Sequence, residues 1–454
     1  MAGPSVDPAL EAAAATAPPA APATVPAPGA GARARNGARS EDRIGARARR
    51  GAFPALRQRN FRLFWTGQLV SLAGTWMQRL GQSWLVLELT GSPLALGTVS
   101  AMQFLPMTFL SLLAGPLVDR WPKRRILVAT QSLMALLALA LGVLAATGAV
   151  RYWMVLVLAF LLGLVNTVDV PARQAFMSEI AGREALVSAI SLNSAAFNAA
   201  RIVGPALSGL LVAAVGVAPS FLLNAASYLA VIGGLLAMRD LKPPRVDSGP
   251  GGARGTVSSA LEGLRWVRAR PEIALPLALL AVISAVVINY NVVVPILARD
   301  VLRLGAEGYG FLMSALGAGS LAAAVLMAAG GKREPTDRTL LVSAAGMGAA
   351  YVLLSLQRGF AASALLLALL GFSTVSLTAR VNAAVQLRSD DAHRGRVMSL
   401  YALVFGGVTP VGALYAGGLI DAAGAPAYLF VSGLVALAAV GGAFALGLGG
   451  KRPG

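Results

Sequence analysis

The sequence predicts an all-α polytopic membrane protein with twelve transmembrane helices in two six-helix bundles. Three observations lead there. Of 454 residues, 56% are hydrophobic and only 13% charged, with a mean hydropathy of +0.69, too few charges to cover a soluble surface. Apolar runs recur that reach the roughly 20 residues a helix needs to cross a bilayer. The cations behind the net charge of +18 sit in the N-terminal stretch and in alternate loops, which is how topology is encoded; a nucleic-acid surface would gather them on one face. With no cysteine, disulfides, thiolate metal sites and cysteine nucleophiles are excluded. No Walker loop, metal cluster or catalytic triad is legible, so no cofactor, no metal and no enzymatic reaction are expected.

In chain order, residues 1–55 are Ala/Pro-rich and then Arg-rich. Without an apolar run they read as a disordered basic tail rather than a secretory signal, or else as an arm on anionic lipid. Residues 56–239 hold the first bundle, with spans near 63–88, 93–118, 125–147, 150–172, 185–214 and 217–238. A cytoplasmic linker covers 240–270; its Pro/Gly/Ser centre breaks structure, and 258–268 read as a short amphipathic helix at the membrane surface. Residues 271–450 hold the second bundle, with spans near 273–298, 308–330, 339–357, 360–386, 396–420 and 425–448. Only Arg151, Arg299, Arg303 and Arg358 fall on the side opposite the loop cations, so both termini are expected in the cytoplasm. The Ala/Arg/Gly bias points to a bacterium, hence a multi-pass protein of the plasma (inner) membrane.

The halves echo one another. Span four ends in VDVPARQAF before Gly182 and Arg183, and span ten ends in ARVNAAVQL before His393, Arg394, Gly395 and Arg396. Spans five and eleven then carry GPALSGL and TPVGALYAGGL. Such an echo within a six-plus-six plan indicates internal duplication.

Between spans two and three lies GPLVDRWPKRRI. It resembles the loop signature of the major facilitator superfamily through Gly115, Asp119, Arg120, Arg124 and Arg125, with Pro122 where a glycine is usual. Bare physics allows close helix approach at Gly115 and an acceptor at Asp119 for arginines or a helix N-terminus. The resemblance implies a latch between the halves on the cytoplasmic side; a positive-inside anchor is the plainer reading. In span five, ARIVGPALSG resembles that superfamily's antiporter signature, with Ala200 and Ser208 at usual glycines. Gly204 and Pro205 are expected to kink the helix, with Gly209 giving close packing, although kinked helices are common in any membrane bundle. FRLFWTGQLVSLAGTWMQRL, LELTGSPLALG and NTVDVPARQAF narrow the resemblance to the enterobactin-exporter-like branch, the transmembrane secretion effectors. The resemblance implies an efflux permease for a siderophore or drug, working by alternating access against an ion gradient, with the proton as coupling ion. Many members carry an aspartate at the position of Thr75.

Polar residues inside the spans mark a candidate cavity between the halves. In span one, Gln68, Ser71, Thr75, Gln78, Arg79 and Gln82 fall largely on one face; in span five, Ser191, Ser194, Asn198 and Arg201 do the same. Arg79 and Arg201 lie near mid-bilayer, with no Asp or Glu at similar depth. They are expected to make the cavity electropositive, the alternative being bonds to backbone carbonyls and water. Asn289, Asn291, Arg380, Asn382 and Gln386 are cavity or interhelical candidates in the second half. Asp169 and Arg173 form an i,i+4 pair expected to join the Asp119 latch, with Pro171 between them marking a helix end. The partners expected are a small-molecule substrate, a coupling ion and the lipid bilayer, with no nucleic acid, and the protein is expected to act as a monomer. Two alternatives are an uptake symporter of the same fold and a transport-inactive membrane scaffold or sensor.

Overall fold

A computed structural model describes residues 53–239, 262–330, 335–390 and 393–448, without the side chains of 111–117 and 119. The expected tail up to residue 52, the centre of the linker and the latch residues Gly115 and Asp119 therefore lie outside the described residues or side chains. What is described is nearly all helix, with no strand.

The first half begins with α1 (Arg59–Thr90), α2 (Pro93–Arg120) and α3 (Lys123–Ala146). At the start of α2, Ser92 accepts from the amide of Ala95 and Pro93 takes the first turn, so two local signals set this end. The next helix, Tyr152–Val215, is broken at Gly182 into α4 (152–181) and α5 (183–215). Gly182 has φ of 65°, a conformation that suits a residue with no side chain. Helix α6 (Ala218–Leu236) completes this half. Pro171 corrects an expectation: it lies inside α4 and does not end it. The helix continues because Phe176, Met177 and Ile180 find apolar partners in Phe64, Leu235 and Phe61. That tertiary packing offsets the missing amide.

The second half runs through α7 (Pro271–Val286, then Tyr290–Ile296), α8 (Ala306–Ala329), α9 (Asp337–Ser355) and α10 (Phe360–Arg388). Helix α11 comprises Arg394–Ala402, a π-helical turn Leu403–Gly407 and residues 409–423; α12 is 425–445, beyond a second positive-φ glycine, Gly424. The expected continuous span 273–298 is interrupted at 287–289. Breaking a helix at membrane depth frees carbonyls that must find donors inside the protein. Here Tyr428 donates to the Val286 carbonyl at 2.8 Å and Tyr351 to that of Val287.

Among the described residues, nine helices are long and apolar enough to cross a membrane; two of them contain the breaks at Gly182 and Gly424. Helix α1 is not among the nine, since its polar stripe lowers its hydropathy. The chain is a multi-pass membrane protein.

The described part of the expected linker helix, residues 262–268, lies on the second half. Trp266 stacks on His393 with centroids 4.7 Å apart, Val267 is buried, and Glu262 pairs with Arg396 at 3.2 Å. Desolvation pushes the Asp390 carboxyl up, but hydrogen bonds from the His393 ring and amide together outweigh it and hold the group below the usual carboxylate range.

Candidate functional site

The halves meet along two helix pairs. Helix α5 packs on α8 where a Cβ on Gly310 would stand 2.5 Å from the Pro205 carbonyl and one on Gly209 2.7 Å from that of Ala306. Helix α2 packs on α11 where a Cβ on Gly97 would stand 2.4 Å from the Ala413 carbonyl. Backbone meets backbone at both seams because no side chain intervenes. GPALSGL and TPVGALYAGGL thus occupy equivalent places, each facing the opposite half. Pro205 lies within continuous helix, and the one non-helical residue between Tyr152 and Val215 is Gly182. Gly204 packs toward Trp76 and Ala73 of α1. The motif's small residues therefore give close contact to two neighbours, α1 and α8.

Hydrogen bonds between the halves gather at the end bearing Gly91, Arg299 and Asp421, the end expected from loop charge to be the outer one. Arg299 donates to the carbonyls of Leu87 and Gly91 at 3.4 and 3.2 Å, and Ser92 bonds Asp421 at 3.1 Å. Ser83 donates to the Asn291 carbonyl at 3.3 Å. Among the described residues, the bonds furthest from this end are Thr108 to the Gly407 carbonyl and Ser314 to that of Ile202. Beyond them the polar stripes open. On α5, Ser191 and Ser194 are exposed while Asn198 is buried; on α10, Gln386 is exposed, Asn382 half-buried and Thr374 buried.

At the closed end of this cleft stand the two deep arginines. The guanidinium carbons of Arg79 and Arg201 lie 4.8 and 5.8 Å from the centre of the Trp76 ring. Among the described residues neither side chain has an ion-pair partner or donates to a carbonyl, and the Arg201 Nε is buried without an acceptor. Beside Arg79 lies a cavity lined by Gln82, Gln103, Phe104 and Asn291, with about 20 Å³ open to a water-sized sphere, room for about one water.

The other expected cavity residues have bonds within the protein or are buried. Gln78 is buried against α6, accepting from Asn224 at 2.6 Å, because its face of α1 is the one α6 covers. Thr75 donates to the Ser71 carbonyl of its own helix at 2.9 Å. Gln68 and Ser71 are buried, with Gln68 Oε1 unpartnered. Asn198 and Asn289 each donate back one turn, to the carbonyls of Ser194 and Ala285. Arg380 bonds Ser343 of α9 at 3.1 Å, an interhelical role, and Gln386 bonds Asn382. Gln82, Asn291 and Arg79 line the small cavity, and Arg201 approaches it only through the Trp76 ring.

On the opposite side Asp169 is fully buried, accepting from Thr130 at 2.7 Å, from Gln131 at 2.8 Å and from Arg173. Its bonds tie α4 to α3; whether it meets Asp119 lies outside the described side chains. Arg124 donates to the Leu236 carbonyl at the end of α6, while Arg120 and Arg125 are exposed. Lys123, missed by sequence reasoning, is buried and pairs with Glu179 at 2.8 Å. Trp76 was also missed; its place three residues before Arg79 was the available signal. The tyrosines that seal α7 come from α9 and α12, so no local pattern marked them.

The family described as "Transmembrane secretion effector" matches residues 50–448. The chain belongs to this family. It is a branch of the major facilitator superfamily, a family of transporters rather than enzymes. The chain is 28% identical over 366 residues to the multidrug efflux pump Tap of Mycolicibacterium fortuitum, covering 78% of this chain and 88% of that one. It is also 28% identical to the staphyloferrin A transporter of Staphylococcus aureus, over 37% of this chain and 43% of that protein. A variant of the nucleoside transporter NupG has the same fold, with a TM-score of 0.71 at 11% identity, over 86% of this chain and all (100%) of that one.

Proposed function

We propose that this transmembrane secretion effector is a secondary active efflux permease for small molecules. It works by alternating access, in the inner membrane of a bacterium, with both termini cytoplasmic. The observation that carries this reading is the cleft: its halves are joined at one end and its polar stripes open at the other. If loop charge sets orientation, the cleft opens to the cytoplasm, where an exporter collects its cargo. The relatives named for multidrug efflux and for a staphyloferrin support export of small molecules. Rocking about the glycine-lined seams of α5 on α8 and α2 on α11 would open the outer end and close the inner one. An ion gradient, with the proton as coupling ion, drives the cycle, since the sequence carries no nucleotide-binding motif, and the protein acts as a monomer.

The test is transport in everted membrane vesicles together with a drug and siderophore accumulation panel in an efflux-deficient host. Energy-dependent uptake into everted vesicles is expected; uptake into right-side-out vesicles alone would make the protein an importer. Twelve crossings are part of the same proposal. Reporter fusions after Gly148, Gly216 and Gly359 are expected to read outside, and fusions after Lys123, Gly252 and Lys332 inside. The latch enters here too. Asp119→Asn is expected to insert normally and transport severalfold less, and unchanged transport would leave the GPLVDRWPKRRI loop a topological anchor.

A further inference from the structure

A membrane protein rarely places two cations side by side at membrane depth. Each would be costly against lipid, and a pair without a counter-ion adds mutual repulsion. Yet Arg79 on α1 and Arg201 on α5 approach the same Trp76 ring, at 4.8 and 5.8 Å. No carboxylate among the described residues pairs with either. Elsewhere buried charges have counter-ions or donors: Asp169 collects three donors, Lys123 a glutamate, and Arg173, whose Nε is also buried without an acceptor, still pairs with Asp169. A guanidinium carries five N–H groups in a rigid fork, and the Arg201 Nε is buried with nothing to donate to. The ring face offsets part of each charge but accepts no conventional hydrogen bond. The pair is therefore complementary to something absent from the chain itself: a negatively charged, planar acceptor.

Resting on the efflux reading, we infer that Arg79 and Arg201, gathered around Trp76, are the recognition site for a carboxylate-bearing organic anion, the substrate class this permease selects. A carboxylate fits the guanidinium fork through two parallel bonds. The apolar body of such a molecule has surface to lie on, since Phe197 meets Trp76 edge-on at 5.7 Å and is 41% exposed. Gln82, Gln103 and Asn291, lining the adjoining cavity, offer neutral donors for further oxygens. A lipophilic cation would meet like charge at the same place.

The test uses the full-length purified protein and two dyes with one xanthene body, anionic 5-carboxyfluorescein and cationic rhodamine 123. Thermal unfolding is expected to rise with carboxyfluorescein and not with rhodamine. Arg79→Gln and Arg201→Gln should each weaken the apparent affinity for the anion by about tenfold or more, since each removes a charge-assisted fork. Arg201→Lys, which keeps charge and loses the planar fork, should weaken it by about threefold. In everted vesicles the ratio of anion to cation uptake should fall in both glutamine variants. A wild-type protein stabilised by rhodamine rather than carboxyfluorescein, or by neither, overturns the inference, and this readout depends on no variant folding. Anion stabilisation that persists unchanged in both glutamine variants overturns it as well. Intact anion binding with no transport of any probe would support this site and sink the efflux reading instead; transport of both dyes indifferent to Arg79 and Arg201 would do the reverse.

Discussion

The two halves share a scaffold and differ in where a charge is left without a counter-ion. Their seams are alike: α5 on α8 and α2 on α11 both close through glycines that bring carbonyls to within van der Waals contact of the facing backbone. In the second half, the backbone groups freed at membrane depth find donors, although the hydroxyls of Ser284 and Ser376 are buried without a partner among the described residues. Tyr351 and Tyr428 cap the carbonyls freed where α7 breaks, and Tyr290 bonds Thr374. In the first half, two guanidinium groups at the cleft lack any such match, although Asp169 in the same half is fully satisfied. The difference teaches that similar seams can join halves whose deep charges are unlike: both unpaired guanidinium groups stand on one wall.

Four experiments bear on that contrast. The largest effect is expected for Asp169→Ala. It strips the acceptor from Thr130, Gln131 and Arg173 and leaves a half-buried arginine unpaired, a loss of about 3–5 kcal/mol for a broken buried pair, read as a lower unfolding midpoint. A small effect would mean that the first half tolerates unmatched charge generally, and the cleft arginines would no longer stand out.

Next come Gly97→Val and Gly310→Val, which press a side chain on the Ala413 and Pro205 carbonyls. Overpacking of about 1–3 kcal/mol at these seams should cut transport about tenfold, at about 1.4 kcal/mol per factor of ten, with membrane insertion retained. Gly418→Ala, with nothing within 4 Å of its Cβ, is the control and should transport normally. Unequal effects at positions 97 and 310 would show that the two seams are not equivalent hinges.

Tyr351→Phe and Tyr428→Phe each leave a carbonyl of the α7 break unsatisfied and are expected to cost about 1–2 kcal/mol of stability. The same variants sharpen the contrast if substrate preference is unchanged, as a structural role requires. The smallest effect is expected for Arg396→Ala, whose partner Glu262 is 55% exposed. A pair so open to water should be worth less than about 1 kcal/mol, so the unfolding midpoint should barely move.

Much of the architecture is legible in residue order. Apolar run lengths locate α1 to α3 and α8 to α10 within a few residues, because a helix in lipid must satisfy its own backbone and must be long enough. The breaks between α4 and α5 and between α11 and α12 fall close to where span lengths put them, at Gly182 and Gly424. The two deep cations are also legible, since an arginine in a long apolar run is conspicuous by itself. Which way a polar side chain faces is a different matter. Gln78, Arg79 and Gln82 share a stripe on paper, yet Gln78 is claimed by Asn224 of α6 while Arg79 turns to Trp76. A helix has neighbours on several sides, and helical periodicity alone does not say which neighbour covers which face. The interruption of α7 is likewise absent from hydropathy, because its residues stay apolar and the donors that make the break tolerable arrive from α9 and α12. Pro171, a helix end by local rule, stays within a helix because packing beyond it outweighs one lost hydrogen bond. The sequence by itself determined the membrane environment, the helix lengths and the presence of two charges without partners, because these follow from solvent and from counting. Only the tertiary structure decided that those charges meet at one ring and that their neighbours in the stripe do not, because that depends on contacts between helices far apart in the chain.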